Sequence, residues 1–473
     1  MHSPSVAPGA APSWWLQEAL ALEDTSEAPV HAAEDRVDVA IVGGGFTGLW
    51  TALALRDRDP NVRVLVLEAD ICGAGASGKS GGITHGYMGY LSKAADALGD
   101  DGARAVARAG SRAQAGIREF CERRNEDVWW RQDGIVKVST VPAHDGKLAR
   151  MVAAARRLGF AEYAVPLTAS ELRARCASPA FRAGVWFPEG ATVQPARLVR
   201  ALRRAVVDSD IKVYEHSPMV DLRPGRPNVI STPGGRVRAD EVVLATNAAL
   251  IGRAGVRPHA TNFSSYIVLT EPVPGLLAEI GWTGGEGISD GRMFLHYFRT
   301  TRDGRVAMGS GSGPIGYGGR SDARFTHDRE AAARAERGLR YLLPGLARAR
   351  VTHAWGGAID VSADGLPLFK THPGTRIHFG CGYSGHGVNP AWIGGQILAS
   401  LALNRRDEWT DLPFCTRRVP SLPREPIRYV GGRMIRAAIL ACEDAEQAGR
   451  RPNSLARGVA AIPGVFHLRI GTR

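Results

Sequence analysis

An α/β fold is predicted: a first domain built on a parallel sheet and assembled from separated pieces of the chain, and an inserted α+β domain built on an antiparallel sheet. Three observations predict it. Residues 37–68 hold a strand, a glycine-rich turn, a helix and a second strand in succession. Apolar runs that complete the same sheet return only at 211–246 and again at 377–379. Between them, segments such as Asn262 to Thr270 alternate apolar and polar residues with the period of two that antiparallel strands show.

Residues 1–35 read as a Pro/Ala-rich arm followed by a short helix near Trp14 to Leu22, whose two tryptophans pin it onto the body. The stretch VDVAIVGGGFTGLWTALALRDRDPNVRVLVLE, Val37 to Glu68, is then a complete dinucleotide-binding Rossmann unit. Gly43 makes the tight turn, Gly45 lets the backbone approach a pyrophosphate, and Gly48 lets the helix lie close on the sheet. The helix opens at Phe46 and Thr47, where free N–H groups and the positive end of the helix dipole favour phosphate. Glu68 ends the second strand, where its carboxylate can accept from ribose hydroxyls and would repel a 2′-phosphate. That disfavours NADP and leaves FAD or NAD.

The loop Ala69 to Tyr90 is too long for a simple connection and is rich in small residues (Gly73, Gly75, Ala76, Ser77, Gly78, Gly81, Gly82), as loops that press backbone donors on a flat or anionic group are. Helical spacing from Leu91 to Asn125, interrupted by Gly-Asp-Asp-Gly at 99–102, predicts two helices. A β-rich piece at 127–138 and helices near 144–158 and 169–175 follow. Strands are expected at 211–215, 219–222 and 240–246 for the first domain, and at 262–270, 293–298 and 305–308 for the second, with an amphipathic helix at 329–343. A second strand, glycine turn and helix comes at Ile377 to Leu403, through Gly380, Gly382, Gly385 and Gly387. The resulting division is an arm over 1–35, a discontinuous nucleotide domain over 36–90, 185–250 and 350–403, a substrate domain over 91–184 and 251–349, and a capping or interaction segment over 404–473.

With 473 residues, 44% hydrophobic and 22% charged, the composition is that of an ordinary globular protein. Lys and Arg number 59 against 47 Asp and Glu, a net +12. The excess is arginine spread along helices, which is compatible with attraction of anionic substrates or RNA but fits a solvated basic surface better; the charge identifies no partner, and nucleic acid is not expected. Six cysteines show neither a CxxC pair nor metal-ligand spacing, so reduced thiols and no metal site are expected. The start lacks the features of a secretory signal, and no apolar run is long enough for a membrane span, so a cytoplasmic location is expected.

Taken in order, VAIVGGGFTGLWTALAL, GAGASGKSGGI, TVQPARLVRALRRA, DEVVLATNA, RDGRVAMGSG, HAWGG, DGLPLF and GYSGHGV resemble the FAD-dependent oxidoreductases related to D-amino-acid oxidase, glycine oxidase and sarcosine oxidase. SWWLQEAL, GGQILASLALNRRDEW and PREPIRYVGG look most like the aminophosphonate oxidoreductase branch, with gamma-glutamylputrescine oxidoreductase a more distant cousin. The resemblance implies a glutathione-reductase-like FAD domain. It implies that Gly43, Gly45, Gly48 and Glu68 hold the ADP half, and that Ala76, Ser77, Gly78, Lys79, Gly81 and Gly82 wrap the pyrophosphate and flavin. Val220 would offer backbone contacts to adenine, Thr246, Asn247 and Ala248 would line the cofactor, and the turn with Gly382, Ser384, Gly385, His386, Gly387 and Val388 would face the isoalloxazine. Lys79 stands where histidyl-linked relatives carry the histidine, and relatives that use a cysteinyl link place it elsewhere than Cys381, so non-covalent FAD is expected.

The implied chemistry is oxidation of a small primary or secondary amine bearing an anionic group, an aminophosphonate for example: hydride passes to the flavin, the imine hydrolyses, and O2 or another acceptor takes the electrons. Substrate contacts are expected from His85 and Tyr87 at the end of the flavin loop and from Gly291 to Arg305. Alternation there puts Met293, Leu295, Tyr297 and Arg299 on one face. Arg299 could read a carboxylate or phosphonate bidentately, and Arg292 and His386 are candidates of the same sort. Gamma-glutamylputrescine-like or N-methyl amino acid oxidation is the near alternative. A tRNA-modifying flavoenzyme and a flavoprotein subunit of a hetero-oligomeric dehydrogenase are the alternatives of another class.

Overall fold

A computed structural model describes residues 12–23 and 28–465. The strand Glu34–Val42 pairs in parallel with Val64–Leu67 on one side and Gly235–Leu244 on the other. Lys212–Tyr214 extends the sheet beyond the first neighbour, and Ile377–Cys381 with the antiparallel edge strand Leu368–Thr371 extends it beyond the second. Val39, Ala40, Ile41 and Val42 are all buried because helices cover one face and Ile230, Leu250, Ile251 and Val256 pack on the other, so this strand reads as a continuous apolar run. The helices Phe46–Arg58, Pro195–Asp208 and Val388–Ala402 share one core with one face of this sheet.

The second sheet runs, in order, Val351–Ser362, Ala260–Thr270, Val306–Ser310, His296–Thr300, Gly287–Ser289, Ile135–Ser139, Ala183–Phe187 and Val165–Leu167. Every pairing is antiparallel except that of Gly287–Ser289 with Ile135–Ser139. One face packs on the helix Arg329–Leu342 around Trp282, Phe298 and Met308. The other face looks toward the nucleotide-binding turns.

Several elements differ from the sequence reading. Val351–Ser362 is a 12-residue strand of the second sheet, and Ala183–Phe187 belongs there too, so boundaries at 350 and 185 cut through that sheet. The strand expected at 293–298 begins at His296, because the N–H groups of Met293 and Phe294 are taken by the Glu443 carboxylate. A hairpin, Asp221–Arg223 with Asn228–Thr232, hangs on Gly235–Leu244. The helical stretch Leu91–Arg123 is broken at Gly99, which has φ +73°, giving the two helices expected. The amino-terminal helix is Trp14–Leu20, capped by Ser13, with Trp15 buried against Trp355.

The helix Ile427–Gln447 docks on the second domain through Ile439, Leu440 and Glu443, and Arg436 donates to the Ser312 and Gly313 carbonyls. Its outward side carries Ile427, Val430 and Met434, at 68%, 51% and 58% exposure. No described helix is long and apolar enough to cross a membrane.

Candidate active site

Two glycine turns meet at the carboxyl ends of the first sheet's parallel strands. At the first, Gly43 takes φ +112°, and a Cβ on Gly48 would stand 1.9 Å from the Gly43 carbonyl oxygen, so helix and turn are in direct backbone contact. The Phe46 N–H donates to Ser77 Oγ at 2.9 Å, which brings the long loop over the helix N-terminus. A Cβ on Gly45 would lie 2.9 Å from that same hydroxyl. Glu68 accepts from the Gly44 N–H at 2.6 Å and the Asp70 N–H at 3.0 Å, and burial pushes its carboxyl above the usual range.

At the second turn Gly382, Ser384 and Gly385 all have positive φ. Asp360, at the end of Val351–Ser362, accepts from the Gly382 and Tyr383 N–H groups. Burial pushes this carboxyl up to about 7. Tyr383 reaches back to the first turn, its hydroxyl 2.7 Å from Thr47 Oγ1.

Between the turns and the second sheet lies a cavity enclosing about 1320 Å³, its open mouth included. Phe46, Thr47, Ala76, Ser77, Lys79, Gly81 and Gly82 border it from the first turn and loop, Asn247 from the end of Gly235–Leu244, and Gly385, His386, Gly387 and Val388 from the second turn. The opposite wall includes Ile135, Lys137, Ser265, Ser289, Leu295 and Tyr297. Register explains three of these. Lys137 pairs with Ser289 across one strand boundary and Ser289 with Tyr297 across the next, and directly paired residues share a face. Tyr297 lies over Gly309, where a Cβ would come within 2.0 Å of its ring, and its hydroxyl is 2.8 Å from Ser265 Oγ.

His85, Tyr90 and His386 form a cluster on the cavity wall. The Tyr90 hydroxyl is hydrogen bonded to the His386 ring, His85 stacks on Tyr90 with centroids 6.2 Å apart, and His85 meets His386 edge-on at 5.3 Å. Lys137 Nζ stands 5.1 Å from the Tyr90 ring centroid. Burial, reinforced by the Lys137 charge, lowers His85 to about 4, so its ring is neutral at physiological pH.

Residues 38–401 match the family model described as "FAD dependent oxidoreductase". The chain belongs to this family. The "Probable oxidoreductase OrdL" of Rhizobium meliloti (strain 1021) is 28% identical over 424 residues, 87% of this chain and 91% of that protein. Gamma-glutamylputrescine oxidoreductase of Escherichia coli (strain K12) is 29% identical over 387 residues, 80% of this chain and 86% of that protein. The fold matches the crystal structure of glycine oxidase from Geobacillus kaustophilus with a TM-score of 0.66 at 23% identity, covering 81% of this chain and 99% of that one.

The residues present suit the cofactor of an FAD-dependent oxidoreductase. Any side chain at Gly45 would fill the cradle under Ser77, and nothing lies within 4 Å of where a Cβ would stand at Gly387, beside the cavity. Two helix N-termini, at Phe46 and Val388, open onto that space, where they would favour the negative charge of a diphosphate and of a flavin edge.

Some expected site residues lie elsewhere. Arg299 is 2% exposed and does not reach the cavity: it donates to the carbonyls of Val193, Gly82 and Thr300 and lies 5.5 Å from the Trp15 ring centroid. It ties the strand His296–Thr300 to the end of the nucleotide loop rather than reading an anion. Arg292 is paired with Asp290 and bonded to Gln447, away from the cavity. The Val220 N–H is spent on the Ser231 carbonyl and its side chain is 49% exposed, so its N–H is not available to adenine. Tyr87 is buried against Phe414, Thr246 abuts Gly43, and Gly382 and Ser384 shape the turn behind the wall. Cys381 is buried in its strand, its thiol held well above the usual range by burial.

Sequence reasoning missed Lys137, Ser289, Ser265, Tyr90 and Asp360. Lys137 had a local signal, a lysine inside the apolar run GIVKVS. The others depend on strand pairing and on the loop's path.

Proposed function

We propose that this oxidoreductase oxidises the C–N bond of a small primary or secondary amine carrying an anionic group, an aminophosphonate among the candidates, and delivers the electrons to O2 or another acceptor. The observation that carries this reading is the cavity itself, bordered by both nucleotide turns on one side and by Lys137 and a row of hydroxyls on the other. The printed names of gamma-glutamylputrescine oxidoreductase and glycine oxidase among its relatives support an amine substrate.

In this reading Gly43, Gly45, Gly48 and Glu68 hold the ADP half, Ala76 to Gly82 and Asn247 the pyrophosphate and flavin, and Gly385 to Val388 the ring edge, without a covalent link. The bound flavin supplies the two-electron acceptor. The chain prepares the amine. The burial and the Lys137 charge that keep His85 neutral would also disfavour an ammonium ion beside it, so the substrate reacts as the free amine. Tyr90 and His386 orient it by hydrogen bonding, and the imine product hydrolyses to an aldehyde or keto compound. Cytoplasmic action belongs to the same proposal, supported by six free cysteines.

The test is anaerobic mixing of the flavin-loaded enzyme with a panel of small amino acids, N-methyl amino acids, aminophosphonates and acylated polyamines, then admission of air. Bleaching at the flavin band with an anionic amine is expected. A flavin that stays oxidised with every member would sink the reading. The exposed stripe Ile427, Val430 and Met434 favours a second reading, the flavoprotein subunit of a larger dehydrogenase, for which size-exclusion of the enzyme from its native host should show a partner chain.

A further inference from the structure

We infer that Lys137 and Ser289 form an oxyanion subsite that binds the carboxylate or phosphonate of the substrate, the role that Arg299 is too enclosed to fill. This rests on the amine-oxidising reading above and assigns the residues that read the anion. Three independent features place the subsite.

The first is register. Lys137 on Ile135–Ser139 and Ser289 on Gly287–Ser289 are direct partners in a parallel pair, so their side chains leave the same face about 4.8 Å apart, and both border the cavity. The second is burial beside an unused hydroxyl. Ser289 is 7% exposed, and its hydroxyl makes no hydrogen bond among the described residues; Lys137 is 8% exposed. A buried hydroxyl and an ammonium side by side are a donor set matched to an oxyanion, and the hydroxyl costs free energy unless a hydrogen-bonding group meets it. The third is the distribution of charge on the cavity wall. Its charged side chains are Lys79, Lys137 and Asp360. Lys79 sits on the nucleotide loop, and the Asp360 oxygens are taken by the Gly382 and Tyr383 N–H groups. Lys137 is therefore the cation at the substrate end.

Tyr297 bounds the subsite on its far side. Its ring is fixed between Gly81 and Gly309, and its hydroxyl is engaged with Ser265, so it acts as a wall. One aromatic ring, Tyr90, separates the Lys137 ammonium from His386. A short molecule can thus place its oxyanion on Lys137 and Ser289 and its amine near the two histidines.

The experiment titrates the flavin-loaded enzyme with acetate and with methylphosphonate, reading the perturbation of the flavin spectrum, in wild type, Lys137→Met, Lys137→Arg and Ser289→Ala. Lys137→Met should raise the dissociation constant of the better-bound anion roughly 10- to 100-fold, the loss expected for one charge-assisted hydrogen bond, and abolish its salt dependence. Lys137→Arg should stay within about five-fold of wild type, and Ser289→Ala should weaken binding about three- to ten-fold, since a neutral donor is lost. Which anion wild type binds more tightly tells carboxylate from phosphonate. Affinities within two-fold of wild type in Lys137→Met, or in Ser289→Ala should the methionine variant not fold, would overturn the inference. So would a wild type that binds neither anion. If the anions bind through Lys137 and yet no amine bleaches the flavin, the subsite stands and the amine reading falls; if amines bleach the flavin and Lys137→Met binds anions as wild type does, the reverse holds.

Discussion

Replacing Gly48 with alanine tests the helix–turn contact at the proposed nucleotide site. The added methyl would stand 1.9 Å from the Gly43 carbonyl oxygen and 3.2 Å from Ile41 Cγ2. Ordinary carbon-oxygen contact is about 3.3 Å, so the helix Phe46–Arg58 would have to lift by more than about 1 Å. It has no room to do so. On its far side a Cβ at Gly395 would lie 2.6 Å from Trp50 Cβ, so Val388–Ala402 already presses on the same helix. Overpacking of this kind costs about 1–3 kcal/mol in an ordinary core, and with both sides clamped we expect the upper end. The helix N-terminus would also shift relative to a diphosphate, and losing one or two charge-assisted bonds of about 1.5–3 kcal/mol each weakens FAD binding about 10- to 1000-fold or more. The assay is flavin content after gel filtration with thermal melting in the presence and absence of added FAD. Gly75→Ala is the control, since Gly75 has φ −76° and nothing within 4 Å of its would-be Cβ. A Gly48→Ala protein that keeps stoichiometric flavin and melts as Gly75→Ala does would refute the reasoning.

Arg299→Met should leave the affinity for acetate and methylphosphonate within about two-fold of wild type, because the guanidinium ends on three backbone carbonyls outside the cavity; a ten-fold loss would return this arginine to the substrate. His85 gives a pH signature with a definite sign. Its folded value near 4 lies below the unfolded value of about 6.5, so above pH 6.5 both states are neutral and the ring contributes nothing. As pH falls from 6.5 to 4 the unfolded chain takes a proton that the folded chain refuses, and stability declines, by about 1–2 kcal/mol once the ring's border on the open cavity is allowed for. Denaturant unfolding between pH 8 and 4 should show this slope in wild type and a flatter one in His85→Gln, and equal slopes would show that His85 is solvated.

Local signals were read well where one segment satisfies its own physics. Val39 to Val42 form an unbroken apolar run because both sheet faces are buried, and Gly48 answers a contact with Gly43, five residues away. The helix break at Gly99 was legible for the same reason. The strand Val351–Ser362 was not, because Gly356 and Gly357 interrupt its β signal for tertiary reasons. A Cβ at Gly356 would meet the Phe325 carbonyl at 2.5 Å, and Gly357 faces Lys79. Likewise Met293 and Phe294 look like strand residues, but their N–H groups belong to Glu443, some 150 residues away.

The candidate site divides along the same line. The turn residues bordering the cavity were visible in sequence because glycine turns are local, whereas of the polar row opposite them only Tyr297 was, because the row joins strands at 135–139, 287–289 and 296–300 that only the sheet's register brings together. Arg299 shows how a correct step led to a wrong role. Alternation did put it on the face of Tyr297, but two residues along a strand is about 6.6 Å, and over that distance the surroundings change from cavity to the closed underside of the loop at Gly82 and Val193. Periodicity fixes which way a side chain points; what it meets depends on the partner strands, and the cation that borders the cavity is Lys137, two strands away from the expected arginine.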